Sequence, residues 1–318
     1  MNAKELNVFL KSVTRLTPGQ KEALLAELRV AGQGDEVRAL VESRFSEMRT
    51  CPHRFGVHVV RNGSASGLQS YKCRACAVTF NAFTGTPLAR LSMKAKWFAQ
   101  QDVLQQGLSV KQAARSLEIA RTTAFRWRHR FLQLTQAVKA PGLTGVVEAD
   151  ETFFLRSNKG QRTGRKARKR GGRASRTQRG EDLIPILVAR DRSGATADFV
   201  LEAVSKICLS QALAPRTHSD AVLCTDGSAA MAGAAQTMGL QHEPVNLSAG
   251  ERVRGPWHIQ NVNSYHGRLK LWMTRFKGVA TSRLENYLGW FRALDRATKH
   301  RRKSAPILAL ASGLEGHH

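Results

Sequence analysis

Four short apolar runs in the second half of the chain constrain its fold more than any other feature. Each run is rich in Val, Leu, Ile or Phe and is bounded by turn-forming residues, a pattern typical of strands. In chain order they are GVVEADETFFL, DLIPILVARD, TADFVLEAV and AVLCTDG. Because helical stretches follow the later runs, we predict a mixed α/β sheet domain.

The charge balance indicates the class of partner. The 318 residues include 50 Lys or Arg and 24 Asp or Glu, a net charge of +26. Such an excess favours a polyanion, most commonly nucleic acid, with an anionic membrane surface as the competing interpretation. No apolar run approaches the roughly 20 residues that span a bilayer, so we expect no membrane partner. Five cysteines, two of them in a C-x-x-C, favour a reducing, intracellular setting with metal use.

Two acids lie on or at the end of the predicted strands. Asp150 is inside the first run, and Asp226 directly follows the fourth. A carboxylate on an apolar central strand needs a partner or a cation. Glu148 lies on the same strand face, so it is either an alternative to Asp150 in this role or a second acid that supports it. Either acid alone would be interpreted as a turn cap. The pair, in so basic a chain, indicates a divalent-metal site for phosphoryl transfer.

A second candidate for the same site is the segment WHIQNVNSYHGRLKLWMTRF, residues 257–276. Its apolar residues recur at steps of three and four, which predicts a helix with one buried stripe. Asn263 and Lys270 lie two turns apart beside that stripe. An amide oxygen can ligate Mg²⁺ and a lysine can hold a phosphate, although a plain polar helix edge explains both residues equally well.

The segment LSVKQAARSLEIARTTAFRWRHRFL predicts two short helices joined by a tight turn. Ser109 caps the first helix and Thr122 the second. A basic second helix favours a DNA-reading helix-turn-helix over an ordinary helical hairpin. We expect its outward face to carry Arg121, Thr123, Arg126, Arg128 and Arg130, of which the first four are the predicted DNA-binding residues.

Residues 156–179 interrupt the predicted sheet domain with eleven Lys or Arg and no acid. A segment of this composition buries no apolar area and is expected to be a loop. It is either a solvated loop or, as the charge favours, a contact to the nucleic-acid backbone. The residues that we expect to contact DNA there are Arg165, Lys166, Arg168, Lys169 and Arg170.

Three segments in order, VEADETFF, LCTDG and HIQNVNSYHGRLK, resemble the bacterial insertion-sequence transposases. In that group an RNase H-like (integrase-like) mixed-sheet catalytic domain follows a small zinc ribbon and an all-α helix-turn-helix. CPHRFGVHVV, YKCRACAVTFNAFTGTPLARL and the helix-turn-helix segment are also similar to that group, so the resemblance covers roughly residues 50 to 290. It implies a DNA transposase that binds terminal inverted repeats and catalyses two-metal strand cleavage and strand transfer.

The resemblance also implies the roles of individual residues. Asp150, Asp226 and Asn263 would hold two Mg²⁺ or Mn²⁺ ions, and Lys270 would hold a backbone phosphate. The partners would be double-stranded DNA, as element ends and target, and further copies of the chain, as a dimer or larger assembly. The protein would be cytoplasmic and associated with the nucleoid. A catalytically silent DNA-binding regulator and a metal-dependent nuclease of the same fold remain alternatives.

The ribbon departs from the family pattern. Cys51, Cys73 and Cys76 are present, but the family expects a cysteine where this chain has Arg54, which cannot ligate zinc. His58, or less readily His53, is near enough in sequence to supply a fourth ligand. We expect one zinc per chain, against a weakened three-ligand site or none.

These features divide the chain into five predicted segments, with the basic insertion 156–179 inside the fourth. They are an N-terminal helical segment (1–47), a zinc-ribbon-like module (48–90), a helix-turn-helix domain (91–138), an RNase H-like catalytic domain (143–298) and a basic tail (299–318).

Overall fold

The computed structural model describes most of the chain in two compact units, which divide after Phe131. The described residues are 3–13, 15–25, 42, 45, 49–65, 68–93, 96–133, 135, 136, 138–161, 182–245, 250 and 252–299. The five basic residues predicted to contact DNA from the insertion, and the tail after Lys299, lie outside them. Among the described residues, no helix is both long and apolar enough to cross a bilayer.

The first unit contains a three-stranded antiparallel sheet, in the order β1-β2-β3, followed by three helices. Its elements are α1 (Ala3–Val13), β1 (Val59–Ala65), β2 (Leu68–Cys73), β3 (Thr79–Asn81), α2 (Trp97–Gln105), α3 (Val110–Ser116) and α4 (Arg121–Leu132). Small buried side chains of α3 and α4 pack with Val103 of α2 and Leu117.

The predicted pair of short helices is formed by α3 and α4. Ser109 caps α3 as predicted, and its side chain and that of Gln112 form a reciprocal capping box. A tight turn with Glu118 at a φ of 51° separates the helices. The cap predicted at Thr122 is wrong, because α4 already begins at Arg121.

The second unit contains a five-stranded sheet in the order β6-β5-β4-β7-β8. Its elements are β4 (Val146–Leu155), β5 (Leu183–Asp191), β6 (Thr196–Val200), α5 (Lys206–Leu213), β7 (Val222–Thr225), α6 (Ala229–Met238), β8 (Gln241–Pro244), α7 (Gln260–Thr274) and α8 (Leu284–Lys299). Pairing is antiparallel between β4, β5 and β6 and parallel between β4, β7 and β8. The prediction of a mixed α/β sheet is confirmed.

Strand β4 lies at the centre of this sheet, between β5 and β7. Val147 and Ala149 are fully buried in a core that also contains residues of α5 and α6. Side chains alternate across a strand, so Glu148 and Asp150 face the other side of the sheet, where α7 packs. The sheet thereby presents two acids to one helix.

Helix α8 approaches the chain segment before the sheet so closely that only glycine fits at position 289. A Cβ added to Gly289 would lie 2.5 Å from both the carbonyl carbon and the oxygen of Thr135. Arg292, one turn later, donates to the Thr135 oxygen at 2.8 Å and to the Val138 oxygen at 3.0 Å. These bonds hold the two backbones together and leave no space for a methyl group.

Replacing Gly289 by Ala is therefore expected to lower the free energy of unfolding by about 1–3 kcal/mol through overpacking. Gly267→Ala in α7 is the matched control, because nothing lies within 4 Å of its added Cβ. That control should raise stability by roughly 0.5–1 kcal/mol through helix propensity. Urea unfolding measures both differences, and a Gly289→Ala protein as stable as the parent would contradict this packing.

Candidate active site and metal centres

Two aspartates lie opposite each other at the junction of β4 and β7. The parallel register pairs Glu148 with Cys224. Asp150 lies two residues after Glu148 on β4, and Asp226 lies two residues after Cys224, directly past the end of β7. Asp226 follows β7 in a turn in which its Oδ1 accepts the N–H of Ser228 at 2.9 Å. Sheet pairing thus brings together two acids that are far apart in sequence.

The carboxyl groups at this junction are crowded. Burial raises the pKa of Asp150 to about 6, and nearby Asp226 adds to the effect, although the Glu151 N–H and Lys270 oppose it. Burial also raises the pKa of Glu151 to about 7, with contributions from Asp150 and Asp226. Like charges held this close favour either a proton or a cation between them.

Helix α7 supplies a histidine to the same place. His266 is buried, and its Nδ1 lies 3.6 Å from Asp150 Oδ2. Burial, with Lys270, lowers the pKa of His266 to about 4, so the ring is neutral at pH 7. Among the residues that the structure describes, His266 Nε2 and Glu151 Oε1 are buried without a hydrogen-bond partner. Orphaned polar atoms beside clustered carboxyls fit a site that takes a cation.

Asn263 and Lys270 are exposed on α7, on either side of His266 along the helix. Lys270 lies close enough to Asp150 to lower that residue's pKa. The structure therefore brings together Asp150, Asp226 and Lys270, and it carries Asn263 one helical turn before a residue that approaches Asp150. The metal and phosphate roles assigned to these four residues stay predictions.

Sequence reasoning missed two residues of this cluster. His266 follows Asn263 by three positions and precedes Lys270 by four, so helical spacing alone could have found it. Glu151 directly follows Asp150 on a strand, where neighbouring side chains alternate between the two faces, so its position in the sequence does not predict it. Glu148 is not a rival ligand, because its Oε2 accepts the N–H groups of residues 261 and 262 at the start of α7.

Three cysteines form a second candidate metal centre in the first unit. The Sγ atoms of Cys51, Cys73 and Cys76 all lie within 4.8 Å of one another, and those of Cys51 and Cys76 are 3.7 Å apart. Three thiols at this spacing fit a soft cation such as Zn²⁺. His53 and His58 are exposed, and neither belongs to this group in the described part of the chain. His58 as fourth ligand stays a prediction.

Two loops present these thiols with the same backbone pattern. Counting each loop from its first cysteine, the N–H of the fifth residue donates to the carbonyl of the first residue. The N–H of the first residue donates to the carbonyl of the sixth. The bonds are Phe55 to Cys51 (2.8 Å), Cys51 to Gly56 (2.9 Å), Ala77 to Cys73 (2.9 Å) and Cys73 to Val78 (3.1 Å). In this correspondence Arg54 is equivalent to Cys76. The fourth thiolate position is therefore held by a residue that cannot ligate a metal.

On helix α4, three of the predicted DNA-binding residues remain accessible. Arg121 and Arg126 are exposed, and Thr123 is half-buried. Ala124, Trp127 and residue 131 form the buried stripe of the helix, so these three residues lie on its other faces. This arrangement is compatible with contact to a DNA groove from the front of the helix.

Two basic residues of the predicted outward face instead donate to backbone carbonyls of the protein itself. Arg128 is 1% exposed, and its Nη2 donates to the Leu108 oxygen at 2.6 Å. Arg130 donates from Nε to the Pro87 oxygen at 2.6 Å and from Nη2 to the Ala89 oxygen at 2.8 Å. The prediction that Arg128 contacts DNA is corrected, since its guanidinium is buried and donates to the Leu108 carbonyl.

Replacing Asp150 by Asn should stabilise the metal-free protein at pH 7. The folded-state pKa of about 6 lies above the ordinary 3.8, so ionisation opposes folding progressively between these pH values and fully above them. We expect a gain of about 1–3 kcal/mol at pH 7 and a several-fold smaller gain at pH 4. Urea unfolding at both pH values measures it, with exposed Asp220→Asn as the control. Equal gains at both pH values would contradict the assigned burial.

Replacing Arg54 by Cys should complete the thiol centre. We expect zinc affinity, measured by chelator competition, to rise at least about tenfold, because four thiolates then surround the ion. Co²⁺ in the variant should give the absorption of a four-thiolate site. Arg61→Cys, on an exposed position of β1, adds a thiol outside the cluster and should change neither quantity. Unchanged affinity in Arg54→Cys would contradict the equivalence of the two loops.

Solved transposase structures align with this chain only loosely. "Crystal structure of a pre-cleavage Mos1 transpososome" matches at 13% identity over 69% of this chain and 78% of that chain, with a TM-score of 0.20. "Crystal structure of the Mos1 mariner paired end complex with Mn" matches at 14% identity over 67% of this chain and 78% of that chain, with a TM-score of 0.19. Scores this low carry no argument about the fold.

Sequence comparisons are more informative. "Uncharacterized protein in transposable element ISH50" of Halobacterium salinarum is 29% identical over 256 residues, which cover 79% of this chain and 87% of that protein. Residues 90–139 match a homeodomain-like domain, and residues 142–292 match an ISXO2-like transposase domain. The resemblance to insertion-sequence transposases is thereby confirmed: residues 142–292 are similar to the ISXO2-like transposase domain, and the homeodomain-like match that precedes them contains the helix-turn-helix.

Proposed function

We propose that the protein binds the terminal inverted repeats of an insertion sequence and catalyses DNA strand cleavage and strand transfer at Asp150, Asp226 and Asn263. The observation that carries this proposal is the parallel register of β4 and β7, which sets Asp150 opposite Asp226 beneath α7. A central first strand, with an antiparallel pair on one side and parallel strands on the other, supports an RNase H-like, integrase-like catalytic domain.

The donor set fits a divalent cation. Asp150 and Asp226 offer carboxylates, and Asn263 offers a neutral amide oxygen, ligand types that suit Mg²⁺ or Mn²⁺. Two such ions, when bound, would activate the attacking water or 3′-hydroxyl and stabilise the leaving oxygen. The raised pKa of Asp150 supports this assignment, because a crowded carboxylate gains most from a cation.

The remaining residues of the site would position the DNA and the ligands. Lys270, exposed on α7, would hold a backbone phosphate next to the cut. Neutral His266, whose Nδ1 lies 3.6 Å from Asp150 Oδ2, would help to orient that carboxylate. Neither residue needs to form a covalent bond to DNA.

DNA recognition would be divided between the two units. Arg121, Thr123 and Arg126 at the front of α4 would read the major groove of the terminal repeat. The basic insertion 156–179 follows β4, whose last five residues extend roughly 17 Å beyond Asp150. The N–H of Arg156 donates to the Asp182 oxygen at 2.7 Å, which closes the base of the insertion. The insertion would therefore clamp DNA near the cut.

The wider assignments follow from the same proposal. The zinc-ribbon-like module would belong to the region that binds DNA ends and would hold one zinc per chain. Two DNA ends handled together require a dimer or larger assembly. Double-stranded DNA, rather than a membrane, would be the partner, in the cytoplasm and at the nucleoid.

A catalytically silent DNA-binding regulator is the second candidate, and Arg54 in place of a metal ligand favours it. The crowded carboxyls favour the enzyme, because a regulator has no need of a costly cluster of partly buried acids. A nuclease of the same fold would use the same acids without joining strands.

Incubating the protein with Mg²⁺ or Mn²⁺ and DNA that carries its own element's ends should produce both cleaved and joined strands. Asp150→Ala and Asp226→Ala should each reduce the rate at least about a thousandfold, because each removes a proposed ligand. Asp220→Ala, which changes a side chain that is 78% exposed, is the matched control and should be unaffected.

Each other outcome of that assay selects another function. Binding without either product would support the regulator, and cleavage without joining would support the nuclease. Full activity in Asp150→Ala or Asp226→Ala would show that the site is assigned to the wrong residues.

A further inference from the structure

A buried carboxylate on β4 holds the start of α7. Glu148 is completely buried, and its Oε2 accepts the N–H of Asn261 at 2.8 Å and that of Val262 at 3.1 Å. Its Oε1 accepts from Asn261 Nδ2 at 2.7 Å. Both carboxylate oxygens are therefore engaged by the first turn of the helix.

This carboxylate replaces a cap that α7 does not have in its own sequence. The residue before the helix is Ile259, whose side chain caps nothing. The first N–H groups of a helix need acceptors, and a negative charge there is favourable. Glu148 supplies both from 113 residues earlier in the chain. The helix start is thus fixed by the sheet rather than by local sequence.

The loop that leads into α7 is held by the same cluster. Arg192 Nη1 lies 3.0 Å from Glu148 Oε1, and Arg192 Nη2 donates to the Pro256 oxygen at 3.0 Å. His258 Nδ1 lies 3.3 Å from the same carboxylate oxygen, and its ring also contacts Arg192. A fully buried carboxylate persists only when it is paired in this way. These pairs join β4, the loop and the start of α7 through one side chain.

The position of Glu148 couples this cap to the proposed site. Glu148 precedes Asp150 by two residues on one face of β4, and the residues that it caps precede Asn263 by one and two positions on α7. We propose that Glu148 is a positioning residue: it fixes α7 on β4 and so sets Asn263 against Asp150 for metal binding. This inference rests on the proposed function, since it takes Asn263 as a ligand.

The test measures Mn²⁺ affinity of the full-length, DNA-free protein by electron paramagnetic resonance of free Mn²⁺. Glu148→Gln should weaken Mn²⁺ binding about 10- to 100-fold, the range found when outer-shell partners are removed. It should also speed hydrogen exchange of the Asn261 and Val262 amides. In an Asn263→Ala background the same substitution should change Mn²⁺ affinity by less than about twofold, because the two act in series.

Two further variants keep the test decisive. Ser205→Ala removes the cap of α5, where Ser205 Oγ accepts the Cys208 N–H at 3.2 Å, and it should leave Mn²⁺ affinity unchanged. Glu148→Asp keeps the charge but shortens its reach. It should weaken binding by an intermediate factor, and it serves in place of Glu148→Gln if that variant does not fold.

Unchanged Mn²⁺ affinity in the folded Glu148 variant would overturn the inference, as would a full effect that persists in the Asn263→Ala background. Asp150→Asn and Asp226→Asn separate this result from failure of the proposed function. If these two variants weaken Mn²⁺ binding and the Glu148 variant does not, only the inference fails. If they also bind Mn²⁺ normally, the metal site itself is wrongly assigned.

Discussion

The parallel pairing of β4 with β7 is the interaction on which the rest of the second unit depends. It sets Asp150 opposite Asp226. Asp150 directly follows Ala149, which is buried in the core that also contains residues of α5 and α6. Burial then makes the carboxyls of Asp150 and Glu151 costly to ionise, and the charge of Asp226 adds to that cost. In the proposed site, a bound cation would offset this loss of stability, which is a common balance at active sites.

The parts of this arrangement that local patterns govern could be predicted from the sequence. A largely apolar run identified β4 as a central strand, and Ser109 identified the start of α3. The partners of Glu148 could not be predicted, because its bonds depend on which helix packs over β4. The same limit explains the error at Arg128, whose burial depends on where the Leu108 carbonyl lies in the fold.

The thiol centre shows the same division between local and long-range information. The spacing of cysteines revealed that Arg54 stands where a fourth ligand is expected. That Arg54 is equivalent to Cys76 follows only from the backbone, in which both loops make the same pair of hydrogen bonds. Because those hydrogen bonds do not require a metal, they hold both loops in shape although only three thiols are present.

The central claim is that one metal site is built from β4, the end of β7 and α7. Anomalous diffraction from crystals soaked in Mn²⁺ tests it most directly. The account predicts a Mn²⁺ peak within ligand distance of Asp150 and Asp226, with the Asn263 amide oxygen at or next to the ion. A protein whose only Mn²⁺ peaks lie away from both aspartates would contradict it.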